Sequence, residues 1–270
     1  MYTDMHVHSD ISVDSKAKME DTIKKAIEKG VKVLCFTDHC DPCDAMHPGR
    51  LRKEAFFDWQ ESFAEIQRMR ERYGDKIEIL HGMELGEIAM DKKRTSIWAS
   101  TPGLDFVLGS VHVLPKRQDF YYLKYRDLDH CKQLMEEYLQ ENIRVAQANV
   151  ADVIAHVGYL NRYASRQGFY VELREYEGLL RQLFSVLISH GKGIEINTSG
   201  LRGTTKEAFP DFDTLKLYRA CGGEIITIGS DAHFAKDVGA GWDEAKALLQ
   251  QAGFQYFTIF RQRKPEFILL

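Results

Sequence analysis

His6 and His8 stand one residue apart in the opening stretch YTDMHVHSD. On a strand, residues i and i+2 face the same side, so both imidazoles would project together. Two imidazoles on one face are costly as core and poor as surface filler, whereas a divalent metal would use both. The pair alone is a weak sign, and its meaning rests on partners elsewhere. Such partners recur. Asp38 and His39 end VKVLCFTDH, Glu84 lies in KIEILHGMELGE, His112 in LDFVLGSVHVL, His156 in ADVIAHVG, and Asp231 and His233 in EIITIGSDAHF. Each stretch reads as a buried strand that delivers a histidine or a carboxylate near its C-terminal end. Random placement would scatter the ten histidines over helices and loops, yet six fall at strand ends of one polarity. Imidazole plus carboxylate without thiolate suits Zn, Mn or Fe.

The segments between these strands have helical period. MEDTIKKAIEKG, FFDWQESFAEIQRMRERYG, LMEEYLQENIRVAQAN, YEGLLRQLFSVLISHG, DTLKLYRACGG and DEAKALLQQAG each carry an apolar stripe, most with a glycine stop. With the strand KGIEINTSG, the chain reads as seven βα units, and FQYFTIF is a possible eighth strand. Strands alternating with helices imply a parallel sheet, and this many units imply a closed or nearly closed barrel. The expectation is one domain over residues 1–270, a distorted TIM-like (β/α)7 barrel. Its active site would lie at the C-terminal ends of the strands.

Composition narrows the function. The chain has 270 residues, 44% hydrophobic, with a formal net charge of -4. No basic stripe points to nucleic acid, and no run of about twenty apolar residues spans a membrane. The start lacks the pattern of a secretory signal. Five irregularly spaced cysteines argue against a disulfide framework and for a reducing cytoplasm. Cys40 and Cys43 form a CxxC, but no second pair or thioredoxin-like context accompanies it, so they read as loop thiols. The sequence does not give the oligomeric state.

The motifs HVHSDISVDS, FTDH, GMELGE, GSVH, IAHVGYL, EINTSGLR and GSDAHF, in this order, resemble the PHP (polymerase and histidinol phosphatase) family over nearly the whole chain. EINTSGLR and the chain length resemble its histidinol-phosphatase branch. The resemblance implies two to three divalent metals (Zn, Mn or Fe) in a distorted (β/α)7 barrel. The first would take His6, His8, Glu84 and Asp231. The second would share Glu84 and add His112 and His156, and the third would take Asp14, His39 and His233. It further implies a phosphomonoesterase in histidine biosynthesis, hydrolysing L-histidinol phosphate by attack of a metal-bridging hydroxide. Three divalent ions, three carboxylates, one hydroxide and a phosphate dianion are together neutral. Glu84, Asp231 and His233 would be catalytic, with Asp231 or His233 protonating the leaving alkoxide.

Phosphate also calls for guanidinium, whose fork fits two oxygens. Arg162 and Arg202 fall in expected loops at the catalytic end, and by resemblance both contact substrate phosphate. Asn197, Ser199 and Ser230 are further candidates for polar contacts. Asp4 and Asp38 read as acceptors behind the ligands, with Asp38 equally open to ligation. His81 reads as structural, His130 and His190 as helix-surface residues, and His47 as a rim residue. Other readings are a PHP phosphatase for a nucleotide, a sugar phosphate or phosphotyrosine. An amidohydrolase would want a metal-bridging lysine that no strand end offers. A non-catalytic PHP module would be expected to have lost ligands.

Overall fold

The computed structural model describes residues 1–48, 50–52 and 59–270. Eight strands build the main sheet: β1 (Thr3–Val7), β2 (Val33–Phe36), β3 (His39–Cys40), β4 (Glu78–Gly86), β5 (Phe106–Ser110), β6 (Val153–Ile154), β7 (Gly193–Asn197) and β8 (Ile226–Gly229). The order is β1-β2-β4-β5-β6-β7-β8, with every ladder parallel and β3 paired to β4. The ends nearly close. Val7 bridges Ala232 in parallel, and the Asp231 N–H donates to the His6 carbonyl at 2.8 Å. The result is the expected distorted seven-stranded barrel.

Among the described residues the helices are α1 (Met19–Glu28), α2 (Trp59–Tyr73), α3 (Lys92–Ala99), α4 (Leu128–Ala148), α5 (Leu160–Ala164), α6 (Glu177–Ser189), α7 (Ser199–Arg202), α8 (Phe212–Ala220) and α9 (Trp242–Gln251). The expected start of α2 at Phe56 lies outside the described residues. Amphipathic spacing explains the longer helices. In α1, Met19, Thr22, Ile23 and Ala26 are buried, at intervals of three and four that make one face. In α4, Asp127 caps the first turn by accepting from the His130 N–H at 2.7 Å. Asn149, at φ 55°, ends that helix in the left-handed region. α3, α5 and α7 have no strong period and escaped the sequence reading.

FQYFTIF is not an eighth barrel strand. Residues Tyr256–Arg261 (β9) pair antiparallel with Lys264–Leu269 (β10) in a separate hairpin. Gln262 and Arg263, at φ 50° and 65°, form its two-residue turn, the geometry that suits a twisted hairpin. The Arg263 guanidinium then pairs with Asp152 and donates to the Ala99 and Val150 carbonyls. A parallel partner would have needed a long crossover, and the two-residue turn forbids one.

Strand registry serves the site directly. β2 breaks after Phe36, and β3 restarts at His39 directly opposite Glu84 of β4. All but two residues of the eight barrel strands are buried, so backbone pairing and apolar packing fix where each polar strand end points.

Candidate metal centre

The strand ends converge. The His6 and His8 Nε2 atoms lie 3.1 Å apart. His6 Nδ1 is 2.7 Å from Glu195 Oε1, and His8 Nδ1 is 3.0 Å from the Ser12 hydroxyl. That hydroxyl donates to Asp38 at 2.6 Å and accepts from the His39 N–H at 3.0 Å. Each Nδ1–H therefore has an acceptor, which turns the two Nε2 atoms toward one another and toward Glu84. Glu84 sits at the hub. Its Oε2 is 3.3 Å from His6 Nε2, 3.4 Å from His8 Nε2 and 3.0 Å from His39 Nδ1. Its Oε1 is 3.0 Å from His112 Nε2 and 2.9 Å from His156 Nε2. Asp231 Oδ1 lies 3.5 Å from His8 Nε2 and 3.4 Å from His233 Nδ1. Asp14 Oδ2 is 3.5 Å from His39 Nε2 and 3.2 Å from His233 Nε2. The structure thus gathers all nine expected ligand residues into one cluster.

Backbone conformation supplies part of this convergence. His156 and Asp231 sit at φ 30° and 55°, a region that costs a non-glycine residue about 1–3 kcal/mol. Asp231 and His233 therefore do not share a face by strand alternation. β8 ends at Gly229, and the turn at Asp231 brings the two side chains together.

Burial and charge set the protonation. Burial works against charge on His6, but Glu195, Glu84 and Asp231 outweigh it and hold the imidazole well above its ordinary range. Burial holds His8 well below that range, helped by His233 and His39. Burial opposes ionisation of Glu84 and Asp231, yet both stay well below the usual carboxylate range. His112, His6 and His39 outweigh it at Glu84, and Arg162 and His6 at Asp231. Protons on these imidazoles and divalent cations would compete to compensate the same carboxylates.

The cluster opens into a cavity of about 910 Å³ whose lining includes Arg162, Arg202, Tyr159, Tyr163, Asp41 and Ser199. Arg162 lies on α5 and Arg202 ends α7, so neither is a plain loop residue. Arg162 Nη1 donates to Asp231 Oδ2 at 2.6 Å, and its guanidinium lies over the Tyr159 and Tyr163 rings. A contact to an expected ligand means that changing Arg162 reaches the metal centre too. Arg202 Nη2 donates to the Ser230 carbonyl at 2.6 Å.

Two expected substrate contacts do not line this cavity. The Ser230 hydroxyl and N–H both donate to Asp4, and the Asn197 amide donates to Glu195 while accepting from the Ser199 hydroxyl and N–H. Their polar atoms are spent inside the wall. Asp4 holds the Ser230, Gly239 and His6 backbone, not an imidazole ring. His81 is buried 2.9 Å from the Ser62 hydroxyl, a structural place. His47 pairs with Asp44 on the exposed surface. Cys40 and Cys43 are buried free thiols, Cys40 within β3, and burial above all pushes Cys43 up to about 12.

Sequence reasoning missed Glu195, Ser12 and Asp41. Glu195 is fully buried in β7; besides His6 it accepts from the His156 N–H at 2.9 Å, so it orients the His6 ring and braces the His156 backbone. Gly229 allows this: a Cβ there would lie 2.1 Å from Glu195 Oε1 and 2.4 Å from His6 Cβ. The one signal was a carboxylate in the apolar run GIEIN.

The donor set fits divalent metal ions. Glu84 Oε2 and His39 Nδ1 are buried, face each other and make no hydrogen bond. Four groups of three donors each come within 4.8 Å: His6/His8/Asp231, Glu84/His112/His156, His8/His39/His233 and His39/Asp41/His112. All are imidazole or carboxylate, the ligands of a catalytic rather than a thiolate structural site.

A family model described as PHP domain matches residues 4–199. Histidinol-phosphatase of Lactococcus lactis is 29% identical over 267 residues, covering 97% of this chain and 95% of that protein. A probable histidinol-phosphatase of Thermotoga maritima is 27% identical over 256 residues, covering 95% and 94%. The crystal structure of the Lactococcus lactis histidinol phosphate phosphatase, complexed with zinc, L-histidinol and phosphate, matches with a TM-score of 0.82 and 28% identity over 98% of both chains.

Proposed function

The chain belongs to the PHP domain family, and we propose that it is a metal-dependent phosphomonoesterase that hydrolyses L-histidinol phosphate to L-histidinol and phosphate. One observation carries this reading: Glu84 Oε2, which makes no hydrogen bond, lies among three imidazole nitrogens at the floor of a cavity that two arginines also line. The similarity to histidinol-phosphatases over nearly full length supports the substrate. Two to three ions, Zn, Mn or Fe, would be held by His6, His8, Asp14, His39, Glu84, His112, His156, Asp231 and His233.

Bound divalent metals lower the pKa of water to about 7 and neutralise charge on phosphoryl oxygens. The chain's own groups do the rest. Glu84 holds two sites in fixed relation through its two oxygens. Glu195 and the Ser12–Asp38 pair orient His6 and His8 so that their Nε2 atoms face inward. Arg162 and Arg202 receive the equatorial phosphate oxygens and strengthen as charge develops there. Arg162 and His6 outweigh burial and hold Asp231 ionised, so Asp231 orients and His233 is left to hand a proton to the leaving alkoxide. The Tyr159 and Tyr163 rings, with hydroxyls 2.8 Å apart, keep one wall of the site apolar and rigid.

The test is turnover by metal-reconstituted enzyme of histidinol phosphate, a nucleoside monophosphate, a sugar phosphate and phosphotyrosine. Histidinol phosphate should lead in kcat/KM by about a hundredfold or more, because a site built for polar groups rejects ligands that lack them. A better substrate among the others overturns the assignment, and full activity without metal overturns the mechanism.

A further inference from the structure

Resting on the substrate proposed above, a second carboxylate in the cavity finds a use. Asp41 follows β3 directly and lines the cavity with its side chain 16% exposed. Its Oδ1 is buried and makes no hydrogen bond among the described residues. The nearest imidazole nitrogen, His112 Nδ1, is 3.7 Å away, beyond hydrogen-bond reach. Gly86 makes room for it: a Cβ at that position would lie 2.1 Å from the same oxygen. A carboxylate with one buried oxygen whose nearest charge partner, the His112 ring, stands back at 3.7 Å is only loosely compensated, so the position has room for a further cation.

We propose that Asp41 binds the ammonium group of the substrate and so selects amino-alkyl phosphates. Three lining carboxylates stand outside the expected ligand set: Asp41, Asp119 and Asp237. Only Asp41 groups with imidazoles of the cluster among the described residues, within 4.8 Å of His39 and His112. Asp119 already accepts from the Tyr121 N–H at 2.7 Å. In histidinol phosphate, two carbons separate the ester oxygen from the amine nitrogen, so the ammonium must lie beside the metal cluster, not at the cavity mouth. The arginines and Asp231 occupy the β6, β7 and β8 side, whereas β3 and β4, with Asp41, lie across the barrel. Phosphate held on one side puts its neighbouring ammonium toward the other. A phosphate ester without an amine leaves Asp41 with only the distant His112 ring beside it and is disfavoured.

The experiment compares histidinol phosphate with the same ester lacking the amine, 3-(imidazol-4-yl)propyl phosphate, in wild type, Asp41→Asn and Asp41→Glu. A charge-assisted contact of this kind corresponds to roughly 10- to 100-fold in kcat/KM. Wild type should favour the amine ester by about that factor, Asp41→Asn should bring the ratio near one, and Asp41→Glu should restore part of it. Metal content, measured on the same samples, should not change. Equal loss on both esters means that Asp41 positions His112 instead, and lost metal means that it is a ligand; either result overturns the proposal. A wild type that does not turn over histidinol phosphate overturns the substrate. Wild-type turnover with an unchanged ratio in Asp41→Asn overturns only the role of Asp41.

Discussion

Glu84→Gln tests the hub of the site with the smallest change of shape. The wild-type carboxylate has five imidazole nitrogens within 3.4 Å, three around Oε2 and two around Oε1. The amide keeps the volume and removes the charge. At an effective dielectric of about 20, unit charges about 4 Å apart interact by about 4 kcal/mol. The fold has already stripped water from this side chain, which is 1% exposed, so little solvation returns to offset the loss. About 4 kcal/mol is close to a thousandfold in an equilibrium constant, and it falls on two metal sites at once. Barrel integrity does not need the charge. Met83 and Leu85 pack as core on either side, and the β4 ladders use backbone alone. Metal content by mass spectrometry should drop by at least one ion per chain at micromolar free metal. Turnover should fall at least a thousandfold, while the circular dichroism spectra of the chelated proteins should match. Wild-type metal content with wild-type turnover in Glu84→Gln would refute the bridging role and the arithmetic together.

Chelation should abolish activity, and Zn or Mn should restore it. Because carboxylates hold His6, His39 and His112 well above the ordinary imidazole range, protons compete with metal there. Metal affinity should rise with pH, and calorimetry in buffers of different ionisation enthalpy should show proton release on binding. Glu195→Gln should weaken metal binding about 10- to 100-fold, as loss of a carboxylate behind a histidine ligand does; unchanged affinity would make Glu195 a packing residue. Arg202→Ala should lower kcat/KM for histidinol phosphate by about tenfold to a hundredfold at constant metal content. Arg162→Ala should lower both activity and metal content, because Arg162 also holds Asp231. Burial above all, with Arg70, depresses His81 from 6.5 to about 4. The unfolded chain therefore binds the extra proton first, and the native state keeps this contribution above about pH 6.5 and loses it as pH falls through about 4, an effect of up to about 3 kcal/mol. In His81→Phe the chemical-denaturation stability should fall less steeply over that window; an unchanged slope would show that His81 is protonated in the native state.

The sequence by itself determined the barrel and the gathering of imidazoles and carboxylates at its mouth. Apolar runs ending in His or carboxylate need only strand polarity to converge, because every parallel strand presents its C-terminal end at the same mouth. His6, His8, Glu84, His112 and His156 were legible for that reason. What tertiary structure decided depends on contacts between residues far apart in the chain. Glu195 and His6, 189 residues apart, meet only because β7 and β8 complete the wall beside β1, with Gly229 letting them touch. Arg162 reaches Asp231 only because Asp231 leaves the strand in a left-handed turn. Asn197 and Ser230 face inward to Glu195 and Asp4, since burial obliges their polar atoms to find partners within the wall. FQYFTIF has the composition of a barrel strand, yet its two-residue turn commits it to an antiparallel hairpin. Composition and period say what a segment can bury; only packing decides against which neighbour it does so.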